Sequence, residues 1–186
     1  MLAPEELRKI HPLGKSPLIT DGDVVVAESA AIIEYILEKY APEKLKPAAG
    51  TPDARRFTYW LHYAEGSLMS PLLLTLIFSK VARSPVPFFI KPITKGIAAK
   101  VMNSFVKPQL KLHLDFVESE LSKTKWFAGN EFSAADIQMS FPIEAAAARG
   151  GLNTSRPNLM KYLEAIKSRP AFKRALEKGG PYDLMS

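Results

Sequence analysis

At 186 residues the chain is long enough for one domain or two small ones, and 47% apolar residues supply a packed core. The absence of cysteine rules out a disulfide framework and thiolate chemistry from this chain. The net charge of +6 is uneven: residues 66–114 hold Lys80, Arg83, Lys91, Lys95, Lys100, Lys107 and Lys111 and no Asp or Glu.

The N-terminus MLAPEELRKI has no basic region followed by an apolar one, so no secretory signal is read there. Residues 72–78 form the longest apolar run, broken only by Thr75. That is far short of the roughly 18 residues a bilayer span needs. The expectation is a soluble intracellular protein. The basic stretch has two readings: a solvated face beside a cleft for anionic substrates, or a surface for nucleic acid or anionic lipid. Its lysines are sparse and never adjacent.

Residues 4–10 read as a short helix, with Glu5 and Glu6 early and Arg8 and Lys9 late, as the helix dipole favours. Pro12 and Gly14 end it. Met1 thus starts almost inside an element. Residues 11–40, HPLGKSPLITDGDVVVAESAAIIEYILEKY, read as turn, strand, reversal, strand and helix. The first strand spans 17–20, Asp21-Gly22 is the hairpin dipeptide, and Val24, Val25, Val26 and Ala27 form the second strand. Ile32, Ile33, Ile36, Leu37 and Tyr40 recur at helical spacing and predict one buried stripe. Ser29 falls where strand becomes helix. It has two readings there: a cap, or part of a carboxylate site made with the free N–H groups of the first turn.

Residues 41–52, with Pro42, Pro47, Gly50 and Pro52, read as a linker. Pro52 starts a long helix whose Phe57, Trp60, Leu61, Ala64, Leu68, Leu72 and Leu76 fall mostly at steps of three or four. Pro71 is expected to interrupt and kink it. Residues 84–92 are a proline-rich break. A helical pattern resumes over 93–121, with an interruption near Pro108 and a stripe of Leu110, Leu114, Val117 and Leu121. After the apolar turn 126–129, Ser133 and Asp136 have the capping-box spacing, and Phe132 and Ile137 are placed as a hydrophobic staple. Two helices follow, over 157–167 and 171–178.

The histidines His11, His62 and His113 show no zinc-ligand spacing, and no metal site is predicted. There is no G-x-G-x-x-G, P-loop or G-x-S-x-G motif. Glu28 and Glu34 do not share a helix face as a carboxylate pair would.

The strings H-P-L-G-K-S-P-L, the D-G hairpin and A-E-S-A-A-I-I-E-Y-I resemble the second half of the glutathione-binding domain of cytosolic glutathione transferases, most like a fungal and bacterial branch. Y-A-E-G-S-L-M-S-P-L and the Ser133/Asp136 cap extend the resemblance over nearly the whole chain. It implies a mainly α fold: a partial thioredoxin-like domain (a hairpin plus helix) at 1–41, a linker at 42–51, and an all-helical C-terminal domain at 52–186. It also implies a cis bond before Pro17. Glutathione would be held by Lys15, Ser16, Pro17, Glu28 and Ser29. Ser16 would pair with the cysteinyl part, Glu28-Ser29 would hold the γ-glutamyl end, and Lys15 would lie near the glycyl end. The first strand–helix–strand of the family's small domain has no counterpart here. The family's catalytic Tyr, Ser or Cys lies in that unit, so the catalytic residue is unknown and expected upstream.

The resemblance further implies a cytoplasmic homodimer that conjugates glutathione to electrophilic small molecules in detoxification, or reduces peroxides. Activity in this shortened form is expected to be impaired. Among Tyr59, Tyr63, Gly66, Ser67 and Ser70, Tyr63 and Ser67 are candidates for the second-substrate site. The alternative reading, favoured for a tyrosine at a packed boundary, is ordinary helix packing. The partners implied are glutathione and an electrophile, with no nucleic acid and no integral membrane segment. Two rivals stand beside this reading. One is a non-catalytic binding or scaffold protein of the same fold. The other is a basic adaptor working through residues 80–111.

Overall fold

The computed structural model describes residues 4–41 and 44–180. In chain order they form α1 (Glu5–Ile10), β1 (Leu18–Asp21), β2 (Val24–Ala27), α2 (Ser29–Tyr40), α3 (Pro52–Tyr63), α4 (Met69–Arg83), α5 (Lys91–Val101), α6 (Lys107–Leu121), α7 (Ala134–Arg149), α8 (Pro157–Ser168) and α9 (Pro170–Gly179). The fold is mainly α, with a two-stranded antiparallel hairpin and its helices leading into a helical bundle.

The hairpin register pairs Leu18 with Ala27 and Asp21 with Val24, so the loop is Gly22-Asp23 rather than Asp21-Gly22. Gly22 supplies the positive φ of +59°. Asp21 stays in the strand and ties the hairpin to α2: Tyr35 Oη donates to its carboxylate at 2.7 Å and Lys39 Nζ at 2.6 Å, and Tyr40 Oη donates as well. These bonds hold the Asp21 carboxyl well below its ordinary range. A two-stranded hairpin alone is marginal in water; α2 and these contacts support it. The stripe expected on α2 is only partly buried. Ile32 and Leu37 are inside, whereas Ile36 and Tyr40 are 41% and 62% exposed. Two strands are too narrow to cover the whole apolar face.

Thr51 caps α3, accepting from Ala54 N–H at 3.1 Å. The interruption expected at Pro71 takes a particular form. Between α3 and α4 the backbone passes through a π-helical turn, Ala64–Leu68, in which Met69 N–H bonds to the carbonyl five residues back. The wider ring lets the helix continue past a residue that has no N–H and whose ring crowds the preceding turn. A second π-helical turn, Met102–Val106, stands just before Pro108, between α5 and α6. Among the described residues, Pro52–Arg83 is the one helix with the length and apolar composition of a bilayer span. Gly66, Ser67, Ser70 and Thr75 break its apolar run, and Phe57, Trp60, Leu61, Leu68 and Leu72 pack into the core.

The core is centred on α7, whose Ala134, Ala135, Met139, Ile143, Ala145 and Ala146 are nearly inaccessible. This helix also runs on through the buried Pro142. Trp60 meets Phe127 at 4.7 Å and Tyr63 at 5.0 Å between ring centroids. Leu110, Leu114, Val117 and Leu121 close the core as their spacing predicts, together with Leu159, Tyr162, Leu163 and Ile166 of α8. Ser133 and Asp136 form the capping box. Asp136 is fully buried; its carboxylate accepts from Ser133 N–H at 2.8 Å and Phe127 N–H at 2.9 Å. Phe132 packs on Trp126 and under the Arg169 guanidinium, 3.4 Å from its ring centre, while Ile137 is 45% exposed. Leu45, in the connection before α3, accepts from Ala134 N–H at 2.8 Å, so that connection is fastened to the start of α7.

Candidate functional site

A cleft of about 690 Å³ opens between the α1–β1 turn, the start of α2 and one side of α7. Lys15, Ser16, Pro17, Glu28 and Ser29 all line it. These residues lie on two separate segments, and the hairpin brings them together.

The α1–β1 turn supplies one wall. Gly14 takes a positive φ of 55°, and Gly14 N–H bonds to the His11 carbonyl at 2.8 Å. The Ser16–Pro17 peptide is cis, as the sequence resemblance implies. Lys15 is exposed and has no ion-pair partner among the described residues.

The β2–α2 junction supplies the other wall. Glu28 occupies the cap position of α2 with φ 74° and ψ 124°, a region costly for a residue with a Cβ, of order 1–3 kcal/mol. Among the described residues no side chain caps this helix. Ser29 is the first helical residue, and its hydroxyl has no hydrogen-bond partner among the described residues, so it is not the cap. The first N–H groups of α2 therefore remain without side-chain acceptors at the cleft wall, beside a free hydroxyl. That arrangement suits a carboxylate.

Residues not predicted for the site complete the cleft. His11, Leu13 and Ile33 lie on the small N-terminal part, Glu65 on the π-helical turn, and Ile137, Gln138 and Phe141 on α7. Gln138 Nε2 donates to Glu65 Oε1 at 3.4 Å. Burial raises the Glu65 carboxyl above its ordinary value, and the nearby Glu28 carboxylate raises it further. The cleft thus combines a cationic side chain, free N–H donors, two acidic groups and an apolar floor. The capping-box register was the available clue to the α7 residues: it fixes 137, 138 and 141 on one side of that helix.

Tyr63 and Ser67 are not among the cleft residues. Tyr63 is 7% exposed, its hydroxyl lies 2.6 Å from His113 Nδ1, and it stacks on Tyr59. Burial raises the Tyr63 phenol and lowers the His113 imidazole from their ordinary values. Ser67 is half-buried on the π-helical turn. Among the described residues no group of three or more acidic or histidine side chains is arranged for a metal. A larger hollow of about 890 Å³, lined by residues such as Lys46, Gly50, Arg55 and Phe57, contains none of the predicted site residues.

This fold, with a cis-proline turn facing a helix start, is that of a glutathione-transferase-like protein. Residues 2–44 match the glutathione S-transferase N-terminal domain and residues 86–170 its C-terminal domain. The chain is 35% identical over 184 residues to glutathione S-transferase 1 of Saccharomyces cerevisiae, covering 95% of this chain and 79% of that protein. A glutathione S-transferase structure from Actinobacillus pleuropneumoniae superposes with a TM-score of 0.76 at 34% identity, covering 98% of this chain and 77% of that one. A sphingomonad glutathione S-transferase structure, in complex with glutathione, superposes with a TM-score of 0.73 at 26% identity, covering 96% and 80% of the two chains. The chain belongs to the glutathione S-transferase family.

Proposed function

We propose that the cleft binds glutathione and serves its transfer to electrophilic small molecules. The observation that carries this is the start of α2: free N–H groups and an unpartnered Ser29 hydroxyl facing Lys15 and the Ser16–Pro17 turn. Glutathione carries two carboxylates, an ammonium and a thiol. In this reading the γ-glutamyl carboxylate sits on Ser29 and the α2 N–H groups. Its ammonium lies towards Glu28 and Glu65. The backbone of Ser16 and the Pro17 turn align the cysteinyl segment, and Lys15 attracts the glycyl carboxylate. The α2 dipole and Lys15 both favour negative charge in the cleft, and so favour the thiolate that attacks. Attack on an electrophilic carbon forms a thioether, and the leaving group departs with its electron pair. Ile137 and Phe141 give the apolar side of the cleft an affinity for such a carbon skeleton.

The same reading divides the chain into a glutathione-binding part at 1–41, a connection at 42–51 and a helical domain at 52–186. It takes the protein to be a cytoplasmic homodimer acting in detoxification. Calorimetric titration with glutathione, beside Ser29→Ala, tests the site. Saturable binding weakened about ten- to a hundredfold by the substitution is expected, since one hydrogen bond to a charged group contributes about 1.5–3 kcal/mol. Binding unaffected by Ser29→Ala refutes the placement. Conjugation of an activated aryl halide separates an enzyme from a binding protein of the same fold: glutathione binding with no turnover favours the latter. Sedimentation of a clean monomer at micromolar concentration refutes the homodimer.

A further inference from the structure

Among the described residues, the turn between α4 and α5 carries the most exposed large hydrophobic side chain, Phe88. Phe88 is 84% exposed and Phe89 65% exposed, with their rings edge to face at 5.6 Å. Pro85 and Pro87 stiffen the approach, and Ile90 N–H closes the turn on the Pro87 carbonyl at 2.9 Å. Two phenyl rings held in water on a stiffened turn cost free energy unless something covers them. On α5, Ile93 and Ile97 stand one helical turn apart and are 61% and 55% exposed. They continue the apolar character away from the turn.

Along the chain, the charges on both sides of this turn are of one sign. Lys80 and Arg83 lie in the last part of α4, and Lys91, Lys95 and Lys100 lie on α5; all five are exposed. Among the described residues none of the five forms an ion pair. Residues 66–114 contain no Asp or Glu to offset them. A second copy of this face would bring cations against cations, which disfavours self-association through it. An anionic bilayer offers the complementary chemistry. Lipid phosphates and carboxylates meet the five cations, and the acyl boundary receives the two rings. Lys and Arg stems lie along apolar surface while their heads stay at the headgroups.

We infer that the α4–α5 turn is a peripheral contact for an anionic membrane surface, with Phe88 and Phe89 as the inserted wedge. This contact is independent of the cleft and of its ligand.

The test is co-sedimentation of the whole chain with vesicles of phosphatidylserine and phosphatidylcholine in equal parts, and with phosphatidylcholine alone. Wild type is expected to partition onto the anionic vesicles at least about tenfold more strongly than onto the neutral ones, because each cation near the surface contributes about 1 kcal/mol. Phe88→Ser/Phe89→Ser is expected to lower the anionic partition about tenfold or more, given about 0.8 kcal/mol per buried methylene equivalent. Both side chains are exposed, so circular dichroism of the variant should match wild type. Absence of partition onto anionic vesicles overturns the inference. So does partition that the double substitution leaves unchanged, which marks charge adsorption alone. A wild-type dimer that the substitution converts to monomer also overturns it, since a second copy then covers the turn.

Discussion

Replacing Asp136 is the sharpest perturbation of this fold. Its carboxylate is fully buried and serves two backbone donors with different oxygens: Phe127 N–H on Oδ1 and Ser133 N–H on Oδ2. The Ser133 hydroxyl also donates to Oδ2, at 3.0 Å. Asp136→Ala leaves both N–H groups without an acceptor, and each buried orphan costs about 1–3 kcal/mol. The expected loss is about 2–6 kcal/mol, against a total stability of order 5–15 kcal/mol. Asp136→Asn keeps the shape but retains one acceptor oxygen, and its amide N–H₂ opposes the second donor. It should lose about 1–3 kcal/mol, half the loss of the Ala variant. Urea denaturation measures this. With a slope of about 1–3 kcal/mol per molar, the Asn midpoint falls by roughly 1 M. An Asn variant with the wild-type midpoint refutes the claim that two separately accepted N–H groups anchor this helix.

The cap predicts a milder effect for Ser133→Ala, about 1 kcal/mol, read in the same titration. Gly150→Ala places a Cβ 2.8 Å from both the Ala146 Cα and a Leu72 methyl. Because the Ala146 backbone cannot yield, a loss of about 1–3 kcal/mol is expected in thermal or urea unfolding. The Glu65 carboxyl is raised in the folded chain, so its charged form is penalised there. That penalty is absent below the ordinary value of 4.5 and complete above the raised one. Glu65→Gln should therefore be more stable than wild type near neutral pH, with the difference vanishing in acid below that ordinary value. A pH-independent difference removes the electrostatic cause. His113, lowered by burial, should show an NMR titration midpoint below 6.5.

The capping box was legible because its two residues sit three apart and interact locally. The hairpin was legible too, although its loop lies one residue later than the D-G dipeptide suggests. Asp21 is held in the strand by Tyr35 and Lys39, partners 14 and 18 residues away. Ile36 and Tyr40 continue the helical period of α2, but periodicity does not state how wide the covering layer is. Pro71 and Pro108 read as breaks because the pattern cannot register a change in hydrogen-bond ring from four residues to five. The Lys15, Ser16, Glu28 and Ser29 side of the cleft was legible through local strings. The Glu65 and α7 side was not, since it depends on elements far apart in the chain packing together.

The bonds of Leu45 and Phe127 to the first turn of α7 have a consequence for the cleft. Ile137 and Gln138 directly follow Asp136, so the cap acts as an index pin for the wall they form. A slip of one residue at that pin would rotate the helix by about 100°. The slip would carry Ile137 and Gln138 off the cleft while leaving a helix of the same length. The width of the cleft is thus set at the first turn of α7, by groups that never face its contents.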